Sequence, residues 1–193
     1  MNINTKKKDT FHDNTEIEVR NPYSKNRKGE TLLHLAVLQG ENKLVLSLID
    51  KGVNLDLVTN LGYTALHYAS YKGHIDIMRS LIGNGANVNC ESHFGYIPLH
   101  YSANYNDANI AKLLIENNSR LNVRNIFGNT PLHIAAIQGK IEVVNLLIVS
   151  GASLFLEDEE GLNAFDLATE SGYREVAALL QLNMKFSRNI SQK

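Results

Sequence analysis

Apolar positions along this chain come in short bursts at helical spacing, cut by glycines at regular intervals. The stretch that opens at Gly128 carries the full pattern. Thr130 suits an N-cap, its hydroxyl accepting from an unpaired backbone N–H, and Pro131 suits the first helical position, where the missing N–H had no partner anyway. Leu132, Ile134 and Ala135 begin an apolar face, and Gly139 stops the helix where a positive φ is needed. A second helix is predicted over 141–149, with Val144, Leu147 and Ile148 at helical spacing and Gly151 as its end. Helices of about two to three turns fall below the roughly 12–15 residues at which an isolated helix becomes marginal in water. Each pair therefore needs neighbours.

The neighbours are copies of itself. Gly29, Gly62, Gly95, Gly128 and Gly161 are spaced by 33 residues. Eleven residues after each lie Gly40, Gly73, Asn106, Gly139 and Gly172, and 23 after the first four lie Gly52, Gly85, Asn118 and Gly151. His34, His67, His100 and His133 keep the same period, with Asp166 in the fifth place. A fixed period of this size predicts units that stack and bury one another's apolar faces. Five units run from about residue 26 to residue 184, between a polar, partly disordered tail over 1–25 and a basic tail over 185–193.

Gly128-Asn-Thr-Pro-Leu-His at a 33-residue period resembles the ankyrin repeat. Gly62-Tyr-Thr-Ala-Leu-His and Gly95-Tyr-Ile-Pro-Leu-His each differ from that motif at one position, and Gly29-Glu-Thr-Leu-Leu-His is looser. The resemblance implies an all-α solenoid: helix–turn–helix units with hairpin-like fingers projecting sideways, and a concave face made by fingers and first helices. The first and fifth units read as caps. In the fifth, Asn163 is the expected N-cap, and Leu167, Val176, Leu179 and Leu180 are expected to bury the last apolar face.

Composition narrows the function classes. The 193 residues are 44% hydrophobic and 20% charged, an ordinary globular balance, with a net charge of −1. Residues 29–182 hold nine basic and sixteen acidic side chains, a net of −7, while 1–28 and 183–193 are each +3. Nucleic-acid binding is not expected from so acidic an array. No apolar run reaches the roughly 18 residues of a membrane span, and the polar start does not resemble a secretory signal. With one cysteine, Cys90, the expectation is a cytoplasmic, monomeric chain without membrane association; nuclear entry or delivery into a host cell remains compatible with it.

Candidate chemistry is sparse. Successive helices stack at roughly 8–10 Å. Two nitrogens that each sit about 2.0–2.1 Å from one zinc ion cannot be that far apart. The periodic histidines are therefore predicted to bridge backbone groups of adjacent units, and His74 is given a structural role as well. No catalytic, cofactor or metal residues are assigned. Asn89 and Asn122 sit eight residues after Leu81 and Leu114, a spacing that the resemblance links to asparaginyl hydroxylation. Closing a finger turn is the expected role of their side chains.

The informative positions flank the finger glycines. Leu61, Tyr63, Phe94, Tyr96 and Phe127 are apolar or aromatic, and His93 and Ile126 adjoin them. Tyr71, Tyr105 and Ile137 lie near the ends of first helices. Together these ten residues predict a stripe across units two to four that binds a protein, the array acting as adaptor, scaffold or inhibitor. Rings packed on one another inside the scaffold are the alternative for the same residues. Two further readings stay open: an effector delivered to a host cell by a parasite or intracellular bacterium, and an enzyme with a composite concave site.

Overall fold

The computed structural model describes residues 21, 23–103 and 108–190, with backbone alone for Asn189 and Ile190. Each repeat gives an inner helix, then an outer one. The inner helices are α1 (Leu32–Gln39), α3 (Ala65–Lys72), α5 (Pro98–Ser102), α7 (Pro131–Ile137) and α9 (Ala164–Glu170). The outer helices are α2 (Asn42–Asp50), α4 (Ile75–Gly83), α6 (Ala108–Glu116), α8 (Ile141–Val149) and α10 (Arg174–Ile190). Inner helices pack in chain order, α1 on α3 through to α7 on α9, and outer helices pack α2 on α4 and α6 on α8 on α10. No strand is assigned among the described residues.

Two leucine ladders make the core. Leu33, Leu66, Leu99 and Leu132 repeat along the inner helices, and Leu48, Leu81, Leu114, Leu147 and Leu180 along the outer ones, all buried. All nine belong to one core that runs through the five units, so burial that a single helix pair cannot achieve becomes continuous. The ladder ends unevenly. Val176 and Leu180 are buried, but Leu167 and Leu179 are only partly so, against the expectation for all four.

The fingers are turns clamped twice. Within a finger, the residue three before the glycine closes the hairpin: Thr59 N donates to Tyr63 O at 3.0 Å, Ser92 N to Tyr96 O at 2.8 Å, and Asn125 N to Asn129 O at 3.0 Å. The same residue's side-chain oxygen accepts from the turn amides, as Asn125 Oδ1 does from Phe127 N and Asn129 N. Between fingers, the carbonyls of Lys28, Leu61, Phe94 and Phe127 accept from the amides of Asn60, His93, Ile126 and Glu159. The backbone of the finger row is thus satisfied within the chain.

That ladder brings one finger's backbone against the next glycine. A Cβ on Gly62, at φ 81°, would lie 2.7 Å from His93 N and 3.0 Å from Ser92 Cα; on Gly161, at φ 80°, it would meet nothing within 4 Å. The backbone conformation is shared, so the pair separates its cost from that of close approach. Gly161→Ala is expected to cost about 1–2 kcal/mol. Gly62→Ala is expected to cost about 1–3 kcal/mol more, through overpacking. Equal losses in urea denaturation would show that the neighbouring finger yields freely.

The C-terminal boundary differs from the sequence expectation of a tail from residue 185. The other outer helices are nine residues long, whereas α10 has 17 and continues to Ile190. Met184 stands where Gly52, Gly85 and Gly151 stand in other repeats, so no glycine turns the chain out of the helix. The extension is tied back by Arg188, whose guanidinium sits 5.5 Å from the Phe155 ring centroid. The N-terminal tail, up to Arg20, lies outside the described residues.

Candidate functional site

The histidines hold repeats together. Each imidazole is 1% exposed. Nδ1 accepts from the backbone amide three residues back: Thr31 to His34 at 3.2 Å, Thr64 to His67 at 3.1 Å, Ile97 to His100 at 3.1 Å and Thr130 to His133 at 3.2 Å. The Thr31, Thr64 and Thr130 hydroxyls also meet Nδ1, at 2.8, 2.8 and 2.7 Å. An acceptor at Nδ1 leaves the proton on Nε2. Nε2–H then donates to the next finger: Tyr63 O at 3.0 Å, Tyr96 O at 2.9 Å and Asn129 O at 3.1 Å. His133 Nε2, by contrast, has no hydrogen-bond partner. In the fifth repeat, Asp166 Oδ2 accepts from Asn163 N at 3.2 Å. A carboxylate can replace Nδ1 as acceptor but cannot donate onward.

Burial pushes His67 and His100 down to about 4, with the hydrogen bonds to Tyr96 O and Asn129 O opposing it, and lowers His34 and His133 in the same direction. His34, His67 and His100 are neutral imidazoles used as two-ended struts. The predicted bridging of adjacent units is present for His34, His67 and His100. Among the described residues no three His, Cys, Asp or Glu side chains converge as a metal set. The Cys90 thiol is pushed up, first by burial and then by Asp56, away from a reactive thiolate. Asn89 Oδ1 accepts from Arg120 N at 2.8 Å and Asn122 Oδ1 from Ser153 N at 2.9 Å, so both side chains bridge to the following repeat instead of closing a turn of their own finger.

The aromatic stripe divides in two. Tyr63, Tyr71 and Tyr96 gather around Tyr101 of α5. Tyr96 stacks on it at 5.3 Å, and Tyr63 and Tyr71 meet it edge-on at 6.0 Å. The Tyr101 hydroxyl also bonds the Tyr63 phenol; burial first, and that bond second, push Tyr101 well above the usual tyrosine range. Tyr63 lies 6.2 Å from Tyr68 of α3, whose ring meets His34 at 5.7 Å. Tyr68 donates its hydroxyl to Glu30 Oε1 at 2.9 Å. Glu30, 5% exposed, also receives Asn26 Nδ2 at 2.7 Å. Tyr63 and Tyr96 are half-buried within this network, whereas Tyr71 is 52% exposed at its edge.

The other finger residues stand clear. Leu61, Phe94, Ile126 and Phe127 are 50%, 38%, 54% and 56% exposed. His93 is exposed beside Phe94, and Ile137 is half-buried at the end of α7. Tyr105 lies outside the described residues. Sequence reasoning missed Tyr68, Tyr101 and Glu30. Tyr68 and Tyr101 each follow a periodic histidine directly, so the repeat itself carried the signal. In the fourth repeat the same position is Ile134, which belongs to an apolar face and masks the tyrosines' role.

The assembly is a helical repeat array that presents a row of side chains on a rigid backbone ladder. The family model for ankyrin repeats matches residues 10–92, 78–158 and 99–190, and the chain belongs to the ankyrin-repeat family. No curated protein sequence matches the chain significantly. The expectations of family and of an all-α solenoid hold. Repeats of this family are protein–protein interaction modules in general and are typically not enzymes. No described helix is long and apolar enough to cross a membrane.

Proposed function

We propose that this array is a non-catalytic binding module that engages a protein partner through its finger tips and first-helix face, as adaptor, scaffold or inhibitor. One observation carries the reading. Leu61, Phe94, Ile126 and Phe127 stay exposed in a row whose backbone hydrogen bonds are already made within the chain. Folding leaves these side chains in water, and large apolar groups grouped on a surface mark interfaces. Tyr71 and His93 flank them, while Tyr63 and Tyr96 serve the patch from below by holding the tyrosine network in place.

The test pairs binding with stability. Phe94→Ser combined with Phe127→Ser is expected to weaken partner retention at least thirtyfold, since one hot spot is worth about 2 kcal/mol. The melting temperature should hardly move, because surface changes stay within about 0.5 kcal/mol. Tyr96→Ser, by contrast, should lower the melting temperature through loss of its stack on Tyr101. Unchanged retention in the double variant would reject the finger row as the interface.

A further inference from the structure

The charges along the finger row reverse about its centre. Resting on the reading of that row as the binding surface, we propose that its partner is a second copy of this chain, paired antiparallel about a twofold axis at the third finger. The two residues before each finger glycine are Arg27 and Lys28, Asn60 and Leu61, His93 and Phe94, Ile126 and Phe127, then Glu159 and Glu160. All of them are exposed. Two cations stand at one end, two anions at the other, and the apolar tips lie between.

A twofold axis through the third finger maps the first finger onto the fifth and the second onto the fourth. Arg27 and Lys28 then face Glu159 and Glu160 of the other copy, and Leu61 faces Ile126 and Phe127. Phe94 faces its own symmetry mate. The contact has an apolar centre and a charged rim, and it is self-complementary, as an isologous interface requires. A parallel pairing would set cation on cation. An end-to-end contact would join fingers one and five but leave the apolar tips in water.

The end charges are available for this role. Among the described residues, Arg27, Lys28, Glu157 and Glu160 take part in none of the ion pairs, while Glu159 is held at 3.2 Å by exposed Arg124. The backbone ladder of the row is closed within each copy, so side chains make the contact rather than an added strand. Opposed charges at both rims select the antiparallel register over the parallel one.

Sedimentation of the full chain tests the association, and cysteine pairs test the register. At low salt the mass should rise with concentration from 21.5 kDa toward twice that value, and added salt should reverse the rise. In a Cys90→Ser background, the His93→Cys variant should oxidise to a covalent dimer on its own. Lys28→Cys and Glu160→Cys should cross-link only when mixed. With native Cys90 retained, Arg27→Glu with Lys28→Glu should weaken dimerisation by about tenfold or more. Adding Glu159→Lys and Glu160→Lys to the same chain should restore it.

A chain that stays monomeric at all concentrations in low salt overturns the proposal. So does self-cross-linking of Lys28→Cys, which means a parallel pairing, or mixed cross-linking without the His93→Cys product, which means end-to-end stacking. If the chain is monomeric yet Phe94→Ser with Phe127→Ser still abolishes capture of another protein, only the identity of the partner fails. If the chain dimerises and that variant dimerises undiminished, the finger row itself is not the binding surface.

Discussion

Acidification from pH 7 to pH 4 is expected to remove several kcal/mol of stability, beginning well above the range in which the carboxylates titrate. His67 and His100 are 1% exposed and held neutral, with folded values of about 4 against an ordinary 6.5. Their folded values lie below their unfolded ones, so the unfolded chain binds more protons between pH 6.5 and 4. Stability is full above about 6.5, falls as the pH drops through that window, and levels off once both states are protonated. At 1.36 kcal/mol per unit, each imidazole contributes about 3 kcal/mol. His34 and His133 act in the same direction. A typical domain has only about 5–15 kcal/mol in total, so a large share is at risk.

The cause is geometric as well as dielectric. A proton added at Nδ1 would face the backbone N–H and the threonine hydroxyl that now donate to it, while Nε2–H already serves the next finger. Protonation therefore breaks the helix start and loosens the junction between repeats. Urea denaturation at pH 7, 5.5 and 4 measures the slope, and NMR titration of the His67 ring measures its cause. Replacing His67 with Gln should flatten part of the acid slope while costing about 1–3 kcal/mol at pH 7, from hydrogen bonds no longer made. A His67 titration near 6.5, or stability level from pH 7 to pH 5, would refute the strut assignment.

The second large effect concerns the end of the leucine ladder. Leu180→Ala should cost about 2–5 kcal/mol, because the side chain is fully buried on α10, which packs against α8 and α9, and a cavity there closes only in part. Leu179→Ala should cost clearly less, since that side chain is already partly in water. Removing residues 161–193 goes further. It uncovers the faces of α7 and α8 that α9 and α10 now cover, and the truncated chain should aggregate. A truncated chain that stays monodisperse and equally stable would show that the fifth repeat is not a cap.

Much of this was legible in the repeat. The 33-residue period placed the helix pairs, and the predicted second helix over 141–149 coincides with α8. Thr130 does accept from His133 N as an N-cap, and His34, His67 and His100 do reach the neighbouring finger. The length of α10 was harder to read. It follows from an absence, the lack of glycine at Met184, in a segment polar enough to pass for a tail.

The sequence by itself determined the unit, its period and the residues that join one unit to the next, because those depend on local caps and on spacing along a chain that stacks upon itself. The tertiary structure alone decided how the aromatic stripe divides. Residues just after a finger glycine, Tyr63 and Tyr96, turn inward because Tyr101 on the inner helix offers both a ring, and Tyr63 a hydroxyl as well. Residues just before it, Leu61, Phe94 and Phe127, lend their carbonyls to the next finger and keep their side chains in water. Both sets are apolar or aromatic at the same period. Only the direction in which the turn points each side chain separates scaffold from surface.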